Sequence, residues 1–194
     1  MSDPKEEKRT RFVEVAIDVI SRYGIRKTTL DDIAKAAGVS TPSIYYYFPN
    51  KNELLRAALS STVNSLLGEI EAVVHSSGPP EAKLIAAWRT VFSSARQSGL
   101  LTNLDAMTKS EVLHLTQDLV EEANRRYTVL IRRVLEEGQT KGAFLVKDLE
   151  ATATVLSVGF LGLLLNTAGN AQFDLIERQI ENLGDLIMNG LRKR

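Results

Sequence analysis

Residues 29–51 read TLDDIAKAAGVSTPSIYYYFPNK, and this stretch predicts a short helix, a tight turn and a second short helix. Thr29 followed by Asp32 is typical of a helix start at which two side chains cap backbone N–H groups reciprocally. Gly38 provides the left-handed residue with which a helix commonly ends. Two short helices joined by a turn of three or four residues that contains glycine indicate a helix-turn-helix.

The second helix of this motif is predicted to have a buried and an exposed face. Ser40 or Thr41 caps its start, and Pro42 falls where the first turn of a helix tolerates proline. The i, i+3, i+4 spacing predicts a buried stripe of Ile44, Tyr47 and Phe48. The side chains left facing outward are Thr41, Pro42, Ser43, Tyr45 and Tyr46. Exposed hydroxyls can donate to phosphates and exposed rings can contact thymine methyl groups, so this face indicates DNA binding.

An aromatic run of this kind can also be a packed cluster inside a helical hairpin. We assign Tyr47 and Phe48 to that role, and Tyr45 and Tyr46 to DNA contact, because the capped start of the helix lies on their face. Lys51 begins the next helix, where its ammonium group and free backbone N–H groups would together hold a phosphate.

The segment Thr28–Leu55, TTLDDIAKAAGVSTPSIYYYFPNKNELL, resembles the DNA-binding domain of the TetR family of bacterial one-component repressors. The preceding Tyr23-Gly24 matches the family's first helix end, and the Tyr-x-[Tyr/His]-Phe and lysine positions match as well. The resemblance covers roughly the first third of the chain by motif, and the rest only by length and helix number. Many relatives carry Lys or Gly where this chain has Thr41-Pro42, so its base preference does not follow from theirs.

The resemblance implies a role for each matching position. Thr29 and Lys51 correspond to phosphate clamps. Thr41, Pro42 and Ser43 correspond to base-reading positions, and Tyr45 and Tyr46 to mixed contacts. Together with the capping serine, the predicted DNA-binding residues are Thr29, Ser40, Thr41, Pro42, Ser43, Tyr45, Tyr46 and Lys51.

The amino-acid composition excludes several kinds of site and indicates where the protein is located. The chain has 194 residues, 44% of them hydrophobic and 25% charged, which is enough to bury a core and remain soluble. It has no cysteine, which excludes disulfides, thiolate metal sites and cysteine nucleophiles. The first residues, MSDPKEEKRTR, lack the apolar run of a signal peptide, so we expect a cytoplasmic protein.

Net charge supports DNA binding only weakly. The formal charge is zero, and residues 1–50 hold eight Lys or Arg against seven acids, a net charge of +1. The basic residues of the N-terminus form a predicted arm, which is usually solvated surface: Lys5, Lys8, Arg9 and Arg11. Affinity is therefore expected to rest on a few placed contacts, with a modest dependence on salt.

The remaining sequence predicts helices throughout, in an all-α fold of about nine. We expect a helix-turn-helix DNA-binding domain of three helices over residues 1–50, and an effector-binding and dimerisation domain over residues 51–194. A long helix after Lys51 should end at Gly78-Pro79-Pro80. The later helices are predicted at about 84–97, 101–107, 111–137, 147–168 and 172–191.

Residues 151–173 carry no charge, which raises the question of a membrane span. The segment includes several polar side chains and has acidic flanks without an aromatic belt, so no membrane association is expected. A helix buried on nearly all sides of a small protein implies a partner. We therefore expect a homodimer in which helices 147–168 and 172–191 of two chains form a four-helix interface, as the resemblance also implies.

A second helical domain of this type is expected to bind a small effector. Apolar side chains that would surround the cavity are Trp88, Phe92, Leu104, Met107, Leu119, Tyr127 and Phe160, with Asn166 or Tyr127 for one polar contact. Plain core packing is the alternative for each of them. The set favours an apolar or aromatic effector, and isolated His75 and His114 predict neither a metal site nor a cofactor.

These patterns favour a regulator over two other classes. An enzyme is not expected, because the sequence has no glycine-rich phosphate loop, no GxSxG and no HExxH. A helical adaptor that binds protein through its tyrosines remains the alternative, distinguished by the salt dependence of binding. The expected function is a repressor that binds a palindromic operator as a homodimer and is released by an effector.

Overall fold

The computed structural model describes residues 3–98, 106–165, 182, 184–185 and 189–191. These residues form helices without a strand, which confirms the predicted all-α class. Eight complete helices lie within them: α1 (Pro4–Tyr23), α2 (Leu30–Ala37), α3 (Thr41–Tyr47), α4 (Lys51–His75), α5 (Pro80–Ser98), α6 (Ala106–Leu115), α7 (Gln117–Thr140) and α8 (Leu149–Leu165).

The basic N-terminus is helical, so the prediction of an arm is wrong. Asp3 caps α1, since its carboxylate accepts a hydrogen bond from the Lys5 backbone N–H at 2.9 Å. Pro4 occupies the first turn, where its missing N–H is not needed. α1 therefore begins two turns before the apolar pattern starts at Phe12, and the four basic residues become part of a rigid surface.

The apolar side chains form two cores that share one helix. The first core contains the buried faces of α1, α2 and α3, the residues Leu54–Leu59 at the start of α4, and Val112 of α6. The second contains Leu67–Val74 at the other end of α4, together with residues of α5, α7 and α8. α4 therefore contributes side chains to both cores and connects them.

Thr116 separates α6 from α7, where the sequence predicts one helix over 111–137. Its side-chain hydroxyl donates to the Val112 carbonyl at 2.8 Å, and its φ of −122° departs from helical geometry. The backbone N–H of Thr116 also donates to the Val112 carbonyl, at 3.0 Å, so the two helices follow each other without a loop. The predicted short helix over 101–107 is wrong in its bounds, because α6 continues to Leu115; residues 99–105 lie outside the described part.

α7 continues through Gly138, where the sequence predicts its end, and the turn to α8 follows at Lys141 and Gly142. The carbonyl of Gly138 accepts hydrogen bonds from the N–H groups of Ala143 at 2.8 Å and Phe144 at 3.1 Å. The Phe144 ring lies directly over Gly138 and is only 2% exposed. This contact holds the chain reversal against the end of α7.

The predicted final helix, residues 172–191, falls mostly outside the described residues, although 182, 184–185 and 189–191 are helical. α8 begins close to its predicted start, and the predicted end near residue 168 also lies outside. Among the described residues, no helix combines the length and the apolar character that crossing a membrane requires.

Candidate nucleic-acid interface

The start of α2 forms the predicted reciprocal cap. The Thr29 N–H donates to the Asp32 carboxylate at 2.9 Å, and the Asp32 N–H donates to the Thr29 hydroxyl at 3.2 Å. Hydrogen bonds from Thr29 lower the pKa of the Asp32 carboxyl. At the other end of α2, Gly38 adopts φ 67°, ψ 34°, the left-handed conformation that reverses the chain towards α3.

α3 presents two faces, as its spacing predicts. Ile44 and Phe48 are buried in the first core. Tyr47 is half-buried, with its ring edge-on to the ring of Phe12 at a centroid distance of 5.2 Å. Tyr45 is 49% exposed and Tyr46 is 70% exposed. Large rings exposed on a seven-residue helix have contact area to offer to a partner.

The remaining positions of α3 lie around these tyrosines. Pro42 is exposed, and Thr41 and Ser43 are half-buried. Ser40 is the residue before the helix but makes no side-chain capping bond to the backbone; its hydroxyl instead lies 2.8 Å from that of Ser43. Both hydroxyls thus lie at the start of α3, on the exposed side of the motif.

The structure gives Thr29 and Lys51 structural partners. The Thr29 hydroxyl donates to the Asp32 carboxylate at 2.6 Å. The Lys51 ammonium donates to the carbonyl of Ile25 in the α1–α2 connection, and partial burial lowers its pKa. An ammonium has three donors, so Lys51 retains two. Both residues fix the motif's geometry, and their phosphate contacts remain predictions.

Sequence reasoning missed the contact that joins this motif to the second half of the chain. The Arg56 guanidinium of α4 donates to both carboxylate oxygens of Asp118 in α7, at 2.9 and 2.6 Å, and also to the Leu115 carbonyl at the end of α6. This pair lowers the pKa of Asp118 to about 2. The two residues are 62 positions apart, so no local pattern points to the pairing.

Comparisons with known proteins identify the motif. A sequence model of the family described as "Bacterial regulatory proteins, tetR family" matches residues 12–58. The HTH-type transcriptional repressor KstR2 of Rhodococcus jostii is 29% identical over 144 residues, which cover 72% of this chain and 69% of that protein. The HTH-type transcriptional regulator SrpR of Pseudomonas putida is 28% identical over 161 residues, 82% of this chain and 74% of that protein. Residues 12–58 of this chain match the TetR family.

A solved TetR-like fold covers nearly the whole chain. The crystal structure of a transcriptional regulator from Cytophaga hutchinsonii matches with a TM-score of 0.81 and 18% sequence identity, over 98% of this chain and 100% of that one. The family match and the sequence relatives make this protein a DNA-binding regulator of transcription.

The predicted effector residues occupy different surroundings in the structure. Trp88, Phe92 and Tyr127 are buried together in the second core. Leu119 is half-buried and Met107 is 61% exposed. Phe160 lies on α8, while Leu104 and Asn166 fall outside the described residues. The structure therefore brings three of the eight together, and their role in binding remains a prediction.

Three polar atoms are buried in or beside the second core without a hydrogen-bond partner among the described residues. They are the Asn124 amide oxygen and the Tyr127 hydroxyl on α7, and the Ser157 hydroxyl on α8. Tyr127 is 6% exposed and Ser157 is fully buried at 0%. Burial raises the pKa of the Tyr127 phenol, so this group is a neutral donor. Sequence reasoning had singled out Tyr127 but neither Asn124 nor Ser157.

Proposed function

We propose that this protein is a repressor that binds a palindromic operator as a homodimer and is released by a small, neutral, largely apolar effector. The observation that carries the proposal is the exposed face of α3, which displays two tyrosine rings beside a row of hydroxyls. α3 is the second helix of a helix-turn-helix, the element that enters the major groove in such motifs.

Dimerisation is supported by an apolar face that the single chain leaves open on α8. Val155 is 69% exposed and Val158 is 51% exposed, while another face of α8 packs against α7 and α5. A Cβ atom added at Gly159 or Gly162 on the same helix would meet none of the described residues within 4 Å. Such a face permits close approach of a second copy, and two-fold symmetry would place two α3 helices on a palindromic site.

A neutral effector follows from the chemistry of the second core. Its aromatic side chains would contact an apolar ligand, and the buried groups without partners are an amide oxygen and two hydroxyls. The buried cation among its neighbours, Lys83, already pairs with Glu137 at 2.8 Å. Since a buried polar group without a partner costs about 1–3 kcal/mol, a ligand that hydrogen-bonds these atoms would gain affinity.

The route from effector to DNA runs through contacts between the two cores. Val112 of α6 packs inside the first core, and Arg56 of α4 holds both Leu115 and Asp118. A ligand that displaces α7 or α6 would therefore move α4 and with it α3. In a dimer, that motion changes the distance between the two reading helices, which must match about one turn of DNA.

The experiment that tests the proposal is fluorescence anisotropy on DNA taken from upstream of the protein's own gene, over a salt series with excess unrelated DNA as competitor. Tight binding that resists the competitor and weakens log-linearly with salt is expected. Tyr46→Ala should lose operator binding while keeping the helical circular dichroism spectrum, because its side chain is largely exposed.

Tyr23→Ala is the matched control for the tyrosine variant. Tyr23 is also an exposed tyrosine, at 64%, but it lies at the far end of α1, about 27 Å along the helix axis from Lys5, which is beside Tyr46. The Tyr23→Ala protein should bind the operator as tightly as the wild type does. Equal binding by the wild type and Tyr46→Ala would refute the role of the tyrosine. If the protein bound no DNA but bound a partner protein with an affinity that does not depend on salt, the alternative of a helical adaptor would be favoured.

A further inference from the structure

The first turns of α1 and the exposed side of α3 enclose a groove of about 400 Å³. Its cationic lining comes from Lys8 and Arg11 of α1, and its hydroxyl groups come from Ser43, Tyr46 and Tyr47. We propose that this α1–α3 groove binds a backbone phosphate of the operator, with Lys8 and Arg11 as the cations. The inference rests on the proposed DNA binding and extends it to a helix outside the helix-turn-helix.

Because the start of α1 is helical, several of its basic side chains lie on one face, next to α3. Lys5, Lys8, Arg9 and Phe12 follow the i, i+3, i+4, i+7 spacing of one helix face. The Lys5 ammonium lies 5.3 Å from the Tyr46 ring centroid, and the Arg9 guanidinium lies 5.1 Å from that of Phe48. The acidic residues of the same turns, at positions 6 and 7, fall outside this face. A segment whose net charge is small thus presents a local positive surface beside α3.

Lys8 and Arg11 have the free donors that a phosphate needs. Lys8 is exposed and makes no hydrogen bond or ion pair within the described part of the chain. One Arg11 nitrogen, Nη2, donates to the Ala37 carbonyl at the end of α2, at 3.2 Å. This bond anchors the guanidinium and leaves several of its five N–H groups for another acceptor. Arg11 is therefore fixed in position before DNA arrives.

The position of the groove favours DNA phosphate over other anions. It shares Pro42, Ser43 and Tyr46 with the exposed face of α3, so an anion in the groove lies beside whatever α3 contacts. When a recognition helix occupies the major groove, a flanking helix meets the sugar–phosphate backbone at its edge. The Tyr46 hydroxyl and the two cations would then converge on one strand.

Lys8→Gln tests the proposal, with Lys141→Gln as the control for net charge. Lys141 is an exposed lysine that follows the last residue of α7, outside the first core, and its substitution removes the same charge. Loss of one phosphate contact should lower the salt slope by about 1 and weaken binding by roughly eightfold at 0.1 M salt. The same factor is expected on the operator and on unrelated DNA, because a phosphate contact carries no sequence information.

Each outcome of these salt titrations either supports or refutes a phosphate site in the α1–α3 groove. If Lys8→Gln matches Lys141→Gln in affinity and slope while Tyr46→Ala loses operator binding, the groove is not a phosphate site and the proposed function stands. If Lys8→Gln weakens only operator binding, Lys8 contacts a base and the proposal is wrong. If the wild-type protein binds no DNA specifically, the proposed function fails and the groove proposal fails with it.

Discussion

Gly138→Ala should destabilise the second core, because the space for a methyl group at this position is already filled. A Cβ atom built on Gly138 would lie 2.0 Å from Cδ2, 2.4 Å from Cε2 and 2.8 Å from Cγ of Phe144. Ordinary contacts between carbon atoms are about 3.5–4.0 Å, so the ring must retreat by roughly 1.5 Å. The ring is 2% exposed and packed on all sides, so it cannot retreat without disturbing its neighbours.

The size of the effect follows from two opposing contributions. Overpacking of this kind typically costs about 1–3 kcal/mol, similar to the loss of burial if the phenylalanine is expelled. Alanine in place of glycine inside a helix contributes about 1 kcal/mol in the opposite direction. The net destabilisation is therefore up to roughly 2 kcal/mol relative to the wild type, which corresponds to a fall in Tm of up to about 8 °C for a chain of this length.

Thermal unfolding followed by circular dichroism at one fixed protein concentration measures this change, since association also shifts Tm. Gly68→Ala is the matched control, because Gly68 is exposed in the middle of α4 and its added Cβ meets nothing within 4 Å. The free energy of unfolding of the Gly68→Ala control should rise by up to about 1 kcal/mol. A Gly138→Ala protein that is stabilised as much as Gly68→Ala would refute the packing of Phe144 against α7.

A double-mutant cycle separates the clash from other causes. Phe144→Leu shortens the side chain that occupies the space over Gly138. If the clash is the cause, Gly138→Ala should cost less in the Phe144→Leu background than in the wild type, because residues in contact are not additive. Equal costs in both backgrounds would place the origin of the destabilisation elsewhere.

Two further changes test the dimer and the link between the cores. Val158→Arg should convert the protein to a monomer in sedimentation velocity and reduce operator affinity, because it places a charge on the open face of α8; a dimer that persists would contradict the proposed interface. The Arg56–Asp118 pair, with the Asp118 pKa at about 2 against an ordinary 3.8, contributes stability above pH 4 that is lost as the pH falls towards 2. Arg56→Met should therefore lose less stability than the wild type over that interval in urea titrations, and identical pH profiles would exclude the pair as a contributor.

The helix-turn-helix could be read from sequence because its determinants are local. The cap at Thr29 and Asp32, the left-handed Gly38 and the stripe that buries Ile44 and Phe48 all depend on residues within a few positions of one another. The structure reproduces each of them. Local signals of this kind are the part of folding that a single sequence displays most directly.

The features that the sequence does not display depend on distant partners or on packing. The Lys51 ammonium donates to the carbonyl of Ile25, 26 residues earlier in the chain, a contact that no local pattern indicates. The break at Thr116 looks like helix interior in a periodic pattern, because it leaves the apolar spacing unchanged. The buried atoms of Ser157 and Asn124 become visible only when the packing of α8 and α7 is known.

The two faces of α3 also bear on how such a regulator diverges after gene duplication. Ile44 and Phe48 fix the helix in the first core, while Pro42, Tyr45 and Tyr46 are exposed. Substitutions at exposed positions usually change folding stability by no more than about 0.5 kcal/mol. A duplicate gene can therefore acquire a new target sequence through a few changes on this face, while the two cores and the fold that they stabilise are inherited intact.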